Sequence, residues 1–149
     1  MRPDVLPKII DRKIRVGLVG CGRISKNHFR AISQLSNDFE LIAVCDTELS
    51  ALKNSTSEYK VAGYENISTM FEKEELDLVT LCSPSGLHAN QAILAAKNGI
   101  NVISEKPMAV KYQDGFNMVK ACDEAKVRLF VIKQNRLNST LQLLKRAVD

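Results

Sequence analysis

The chain of 149 residues has no tryptophan, and its three tyrosines and five phenylalanines bring aromatics to only 5%. Basic stretches without interleaved aromatics, and without a recognition motif, argue against a nucleic-acid face. No apolar run approaches the roughly 18 residues of a membrane span, and the N-terminus has charges and prolines but no apolar core of a signal peptide. A cytoplasmic protein is expected, with no membrane and no nucleic acid among its partners. The four cysteines, Cys21, Cys45, Cys82 and Cys122, are too far apart for a metal knuckle or a redox pair. They read as small buried hydrophobes in a reducing compartment, with no metal expected. Three of them end predicted strands and should approach one another.

What is present is ordinary for a globular domain: 45% hydrophobic, 26% charged, net charge +4. The positive charge crowds the start of the chain, in Arg2, Lys8, Arg12, Lys13, Arg15, Arg23, Lys26 and Arg30. A solvated surface, or attraction of an anionic ligand, is the simplest use of it. Residues 1–12 hold Pro3 and Pro7, show little periodicity and read as an arm; residues 13–149 read as one domain.

The organising stretch is Ile14-Arg15-Val16-Gly17-Leu18-Val19-Gly20-Cys21-Gly22-Arg23-Ile24-Ser25. An apolar strand runs into a glycine turn, and a helix follows whose apolar face is expected at Ile24, His28, Ala31, Ile32 and Leu35. His28 on that face reads as a satisfied core histidine. Gly20 permits the turn, and Gly22 lets backbone approach a pyrophosphate at the helix N-terminus, where the dipole favours negative charge. Ser25 stands where the third glycine of a dinucleotide fingerprint belongs, and is small enough for close helix–strand packing. A second strand, Leu41 to Cys45, ends at Asp46, 24 residues after Gly22, near the ~20 expected of the acid that binds a ribose hydroxyl.

Further strands are expected at Lys60–Tyr64, Asp77–Cys82, Asn101–Glu105 and Arg128–Ile132. The intervening helices should turn inward Ile67, Met70 and Phe71; then Ala89, Ala92, Ile93 and Ala96, ended by Gly99; then Phe116, Val119 and Cys122. A last helix should turn Leu137, Leu141 and Leu144 inward. Strict alternation at short spacing predicts an α/β, doubly wound parallel sheet of the Rossmann type, six strands in the order 3-2-1-4-5-6. The loops at Gly20–Ile24, Asp46, Cys82–Ser85, Glu105–Pro107 and Gln134–Arg136 should then share the carboxyl edge of the sheet.

Gly20-Cys21-Gly22-Arg23-Ile24, Cys82-Ser83-Pro84-Ser85-Gly86-Leu87-His88 and Glu105-Lys106-Pro107, in that order, resemble the glucose–fructose oxidoreductase / inositol dehydrogenase / rhizopine catabolism (Gfo/Idh/MocA) family. The tail from Phe130 to Asn138 is similar to the branch that oxidises the 3-hydroxyl of UDP-N-acetylglucosaminuronate in surface-polysaccharide synthesis. The resemblance implies NAD as cofactor, held by Gly20, Gly22, Arg23, Ile24 and Asp46, with Ser83, Pro84, His88 and Glu105 on its nicotinamide-side ribose. It implies Lys106 beside the nicotinamide and the reacting hydroxyl, as catalytic and substrate residue, and Asn135 and Arg136 at the mouth of a nucleotide-sugar site. A lysine at a buried strand end is also open to a lowered pKa through desolvation. For His88, Asn135 and Arg136 plain capping and loop roles stay open.

Members of that family continue for roughly 150–200 residues into an open-faced β-sheet domain, the size of an ordinary domain. That domain carries substrate contacts, the usual catalytic histidine and most of a homo-oligomer interface. This chain therefore reads as the cofactor-binding half. Two other readings share the glycine turn: a module that senses NAD(H) without chemistry, and a methyltransferase using S-adenosylmethionine. Glu105-Lys106-Pro107 and the Ser-Pro loop argue against the second.

Overall fold

A computed structural model describes residues 9–148; most of the arm expected at 1–12 lies outside them. The strands are β1 (Ile14–Val19), β2 (Phe39–Cys45), β3 (Ala62–Tyr64), β4 (Leu78–Leu81), β5 (Asn101–Ser104) and β6 (Leu129–Val131), all parallel, in the order β3-β2-β1-β4-β5-β6. The expected topology is found in full. The helices are α1 (Ser25–Gln34), α2 (Leu49–Tyr59), α3 (Ile67–Lys73), α4 (His88–Lys97), α5 (Tyr112–Glu124) and α6 (Ser139–Val148).

Period-two alternation divides the core between the two sheet faces. Val19, Ala43, Val79, Leu81 and Val102 meet Met70 and Phe71 of α3, Ala89, Ala92 and Ala95 of α4, and Met118 of α5. On the opposite face Leu18 and Val44 meet Phe29 of α1 and Leu52 of α2. Phe29 stacks on Tyr59 with ring centroids 4.1 Å apart, joining α1 to α2. On this second face Ile14, Leu78, Ile103, Phe130 and Ile132 line a groove of about 710 Å³.

Three helix faces differ from expectation. In α1 the inward residues are Ser25 and Phe29, while Ile24, Ala31 and Leu35 are exposed. Ile24 is the residue before the helix, so a face counted from it is rotated off the true one. In α5 Met118 and Cys122 are buried and Phe116 and Val119 exposed, because contact with α4, through Ala96 and Cys122, selects that face. In α6 nothing is buried: Leu137, just before it, and Leu141 and Leu144 within it are exposed, and its principal neighbour is the turn Gln134–Leu137. The α3 and α4 faces stand as expected, and Gly99 ends α4 with φ +72°.

Arg12, placed in the arm by sequence, is tied down. Its guanidinium donates to both oxygens of Asp77, at 2.6 and 2.9 Å, and the Arg15 N–H donates to the same carboxylate at 2.8 Å. These bonds, the Arg12 side chain first, hold the Asp77 carboxyl below its ordinary 3.8. A depressed carboxyl stabilises the fold above its unfolded-state pKa, and that contribution is lost as pH falls through the folded value. Asp77→Asn is expected to cost about 1 kcal/mol at neutral pH, since Arg12 is partly exposed. Thermal melting should show a drop of roughly 2–4 °C that closes in acid. A drop that persists unchanged in acid would refute the charge argument.

Candidate functional site

Parallel strands of matched register finish together. Val19 pairs with Cys45 and with Leu81, Leu81 with Ser104, and Ser104 with Val131. The ladder runs one residue further: Gly20 N–H donates to the Cys45 carbonyl, Cys82 to Val19, Glu105 to Leu81, and Ile132 to Ser104. Gly20, Asp46, Cys82 and Glu105 thus stand side by side, as expected of a ligand crevice at the strand ends.

The glycine turn is built tightly. Gly20 has φ +91°, and a Cβ there would lie 2.5 Å from the Ser83 nitrogen and 2.6 Å from the Cys82 carbonyl carbon. Gly22 is the converse: a Cβ would meet nothing within 4 Å. Gly22, Arg23 and Ile24 are all exposed, and no side chain caps the start of α1, so its first N–H groups are open to an anion. Ser25 is fully buried and its hydroxyl donates to the Gly22 carbonyl at 2.6 Å. The serine in the third-glycine position therefore both packs closely and closes the turn.

Asp46 holds this loop. Its Oδ2 accepts from the Cys21 N–H at 2.6 Å and its Oδ1 from the Glu48 N–H at 2.8 Å. Each oxygen has a second lone pair, enough to accept from a ribose hydroxyl. Open amides, a turn stripped of side chain and an anchored acid at the next strand end together suit a dinucleotide.

Cys21, Cys45 and Cys82 do gather here, all as free thiols. The Cys21 thiol lies 4.0 Å from the Cys45 carbonyl oxygen. Burial, with the neighbouring Cys21 and Asp46, pushes the Cys45 thiol up to about 12. Burial, then the charge of Glu105, pushes Cys82 up as well. Thiols so held stay protonated and are poor nucleophiles.

On the other side of the crevice, Ser83 is half-buried and its hydroxyl donates to Gln91 at 2.5 Å, while Pro84 is exposed and precedes the turn Ser85–Leu87. His88 is 1% exposed, with Nε2 2.8 Å from the Ser83 carbonyl and Nδ1 2.9 Å from the Pro107 carbonyl. Each ring nitrogen faces a backbone carbonyl, and a neutral imidazole, with one N–H, donates to one of them, so the buried ring packs between the Ser83 loop and the Lys106–Pro107 turn with both nitrogens turned to backbone. Glu105 is buried; Oε1 lies 2.9 Å from Nε2 of His28 and Oε2 accepts from the Lys106 N–H at 3.1 Å. Lys106 precedes Pro107 through a cis peptide bond, and its side chain is exposed rather than buried. Asn135 and Arg136 follow β6 at the same edge, on the turn Gln134–Leu137, with exposed side chains.

His28 is half-buried and satisfied, as its spacing predicts, though by the Glu105 carboxylate and not within the apolar core. Its partner lies 77 positions away, and no local period reveals it. Among the described residues, no cluster of three His, Cys, Asp or Glu side chains could hold a metal ion, and no helix is long and apolar enough to cross a membrane.

Known proteins place this geometry. The chain is 53% identical to the WlbA dehydrogenase of Bordetella pertussis, solved with NADH and UDP-GlcNAcA, across 92% of this chain and 42% of that one, with a TM-score of 0.89. It is 50% identical to the WlbA dehydrogenase of Chromobacterium violaceum, also solved with NADH and UDP-GlcNAcA, across 96% of this chain and 41% of that one, with a TM-score of 0.93. A D-apiose dehydrogenase of Paraburkholderia graminis is 30% identical over 138 residues, which are 92% of this chain and 36% of that protein. The chain thus spans about two fifths of the length of such relatives. The sequence profile of the Gfo/Idh/MocA oxidoreductases, with their NAD-binding Rossmann fold, matches residues 14–133. With that match over most of its length, and with the glycine turn and strand-end acid in place, the chain belongs to the Gfo/Idh/MocA oxidoreductase family as an NAD-binding Rossmann domain.

Proposed function

We propose that this chain is the NAD-binding part of a cytoplasmic dehydrogenase that passes a hydride from a hydroxyl of UDP-N-acetylglucosaminuronate, or a close nucleotide sugar, to NAD. The observation that carries the reading is the 50–53% identity to two dehydrogenases that hold NADH and UDP-GlcNAcA. A module that senses NAD(H) without chemistry is not favoured, because that identity is to catalysts. In this reading NAD supplies the hydride acceptor. Gly20, Gly22, Arg23 and Ile24 receive its pyrophosphate, Asp46 its adenosine ribose, and Glu105 with the Ser83–Pro84 loop the ribose beside the nicotinamide. His88 acts behind that loop, through Ser83 and Pro107. Lys106, free at the edge, meets the reacting hydroxyl, and Asn135 and Arg136 face the incoming sugar.

Orientation and exclusion of water supply much of a barrier reduction. The chain alone offers an open edge, so binding without turnover is expected of it. The test is NADH formation from NAD and UDP-N-acetylglucosaminuronate. This chain should bind NADH and turn over nothing. The same chain continued to the length of its relatives, where a homo-oligomer is expected, should be active and should lose activity with Lys106→Met. Clear turnover by the chain alone, or an extended protein active only on free inositols, would overturn the reading.

A further inference from the structure

We propose that His28 is a positioning residue for cofactor binding: from the middle of α1 it holds Glu105 in place, so that the helix that receives the pyrophosphate also sets the acid that meets the nicotinamide-side ribose. The proposal rests on the reading of Glu105 as that ribose ligand.

The geometry is specific. Nε2 of His28 lies 2.9 Å from Oε1 of Glu105. A carboxylate has no hydrogen to give, so Nε2 is the donor. Among the described residues the other oxygen accepts only the N–H of Lys106, the next residue, at 3.1 Å. That local bond ties the side chain only to its own backbone; the bond to His28 ties it to a different element. Both partners are shielded, with side-chain exposures of 14% and 9%, which strengthens a hydrogen bond relative to water. Each oxygen keeps a lone pair for a ribose hydroxyl.

The helix that carries His28 starts at the glycine turn, and its first turn is closed by Ser25 on Gly22. One rigid element therefore touches both halves of the crevice. A dinucleotide must satisfy its pyrophosphate and its second ribose together, and a fixed distance between their receptors lowers the ordering cost of binding.

The experiment compares three ligands by titration calorimetry on this chain. NADH and ADP-ribose both carry the second ribose, and ADP does not. His28→Ala should weaken NADH and ADP-ribose about tenfold, the loss of one charge-assisted bond, and leave ADP within about twofold. Glu105→Ala should show the same pattern, and the double variant should be no worse than Glu105→Ala. His28→Gln, whose amide can place a donor near Nε2, should recover most of the loss. Equal weakening of ADP and NADH would mean a general loosening of α1 and overturn the proposal. So would a full effect of Glu105→Ala with none of His28→Ala, which leaves the ribose reading intact. If Glu105→Ala leaves NADH and ADP-ribose unchanged, the ribose reading itself fails, and the proposal with it.

Discussion

Gly20→Ala is expected to destabilise the domain by about 2–5 kcal/mol, while Gly22→Ala, two positions on, should leave stability nearly untouched and abolish tight NADH binding. At Gly20 the backbone has φ +91°, which costs an L-residue about 1–2 kcal/mol. The added Cβ would also press on the Ser83 nitrogen and the Cys82 carbonyl carbon, at 2.5 and 2.6 Å. Both are backbone atoms at the end of β4 and cannot rotate aside, so crowding adds about 1–3 kcal/mol. Against a total of about 5–15 kcal/mol that is a large loss. At Gly22 a Cβ meets nothing within 4 Å, so folding is spared. In the proposed reading the methyl would stand in the space the pyrophosphate approaches, and affinity should fall at least about a hundredfold. Urea unfolding and NADH titration of both variants are the measurements. The assignment of the two glycines fails if Gly20→Ala is as stable as the parent, or if Gly22→Ala binds NADH within about threefold of it.

NAD(H) should be preferred over NADP(H) by at least about tenfold. A 2′-phosphate near Asp46 would set like charges about 4 Å apart, a cost of up to ~4 kcal/mol at an effective dielectric of about 20, reduced by salt. The acid cannot swing away, because its two oxygens hold the amides of Cys21 and Glu48. Nor does a cation stand within Asp46-Thr47-Glu48; Glu48 turns back to accept from Ser50. Asp46→Ala should narrow the preference and also weaken NADH, since both amides lose their acceptor. Calorimetry with each cofactor decides, and equal affinities in the parent would count against the account.

The strand order and the row of loops at one edge were legible because both follow from coarse features: apolar runs, their alternation with helices, and glycines at the turn. Which way a helix faces was less legible. Periodicity weighs every apolar side chain alike, so Ile24 drew the α1 face away from Phe29, and Phe116 and Val119 displaced Met118 in α5. The true faces are chosen by contacts between elements. The candidate site residues divide in the same way. Gly20, Gly22 and Asp46 announce themselves by spacing along the chain. His88 was legible as a residue of the crevice loop but not as a buried ring whose two nitrogens both face carbonyls. The His28–Glu105 bond crosses 77 positions and exists only once the sheet has brought the two elements together.

The last helix has a thermodynamic meaning of its own. None of α6 is buried, and a helix of ten residues is marginal in water without a packed face. Its opening free energy is therefore close to zero, far below that of the sheet. Its amides should exchange with solvent almost as a free peptide does, while those of β1 and β4 wait for global unfolding. Cooperative folding of this chain ends in effect at β6. The residues beyond it add little to the stability of the domain that precedes them.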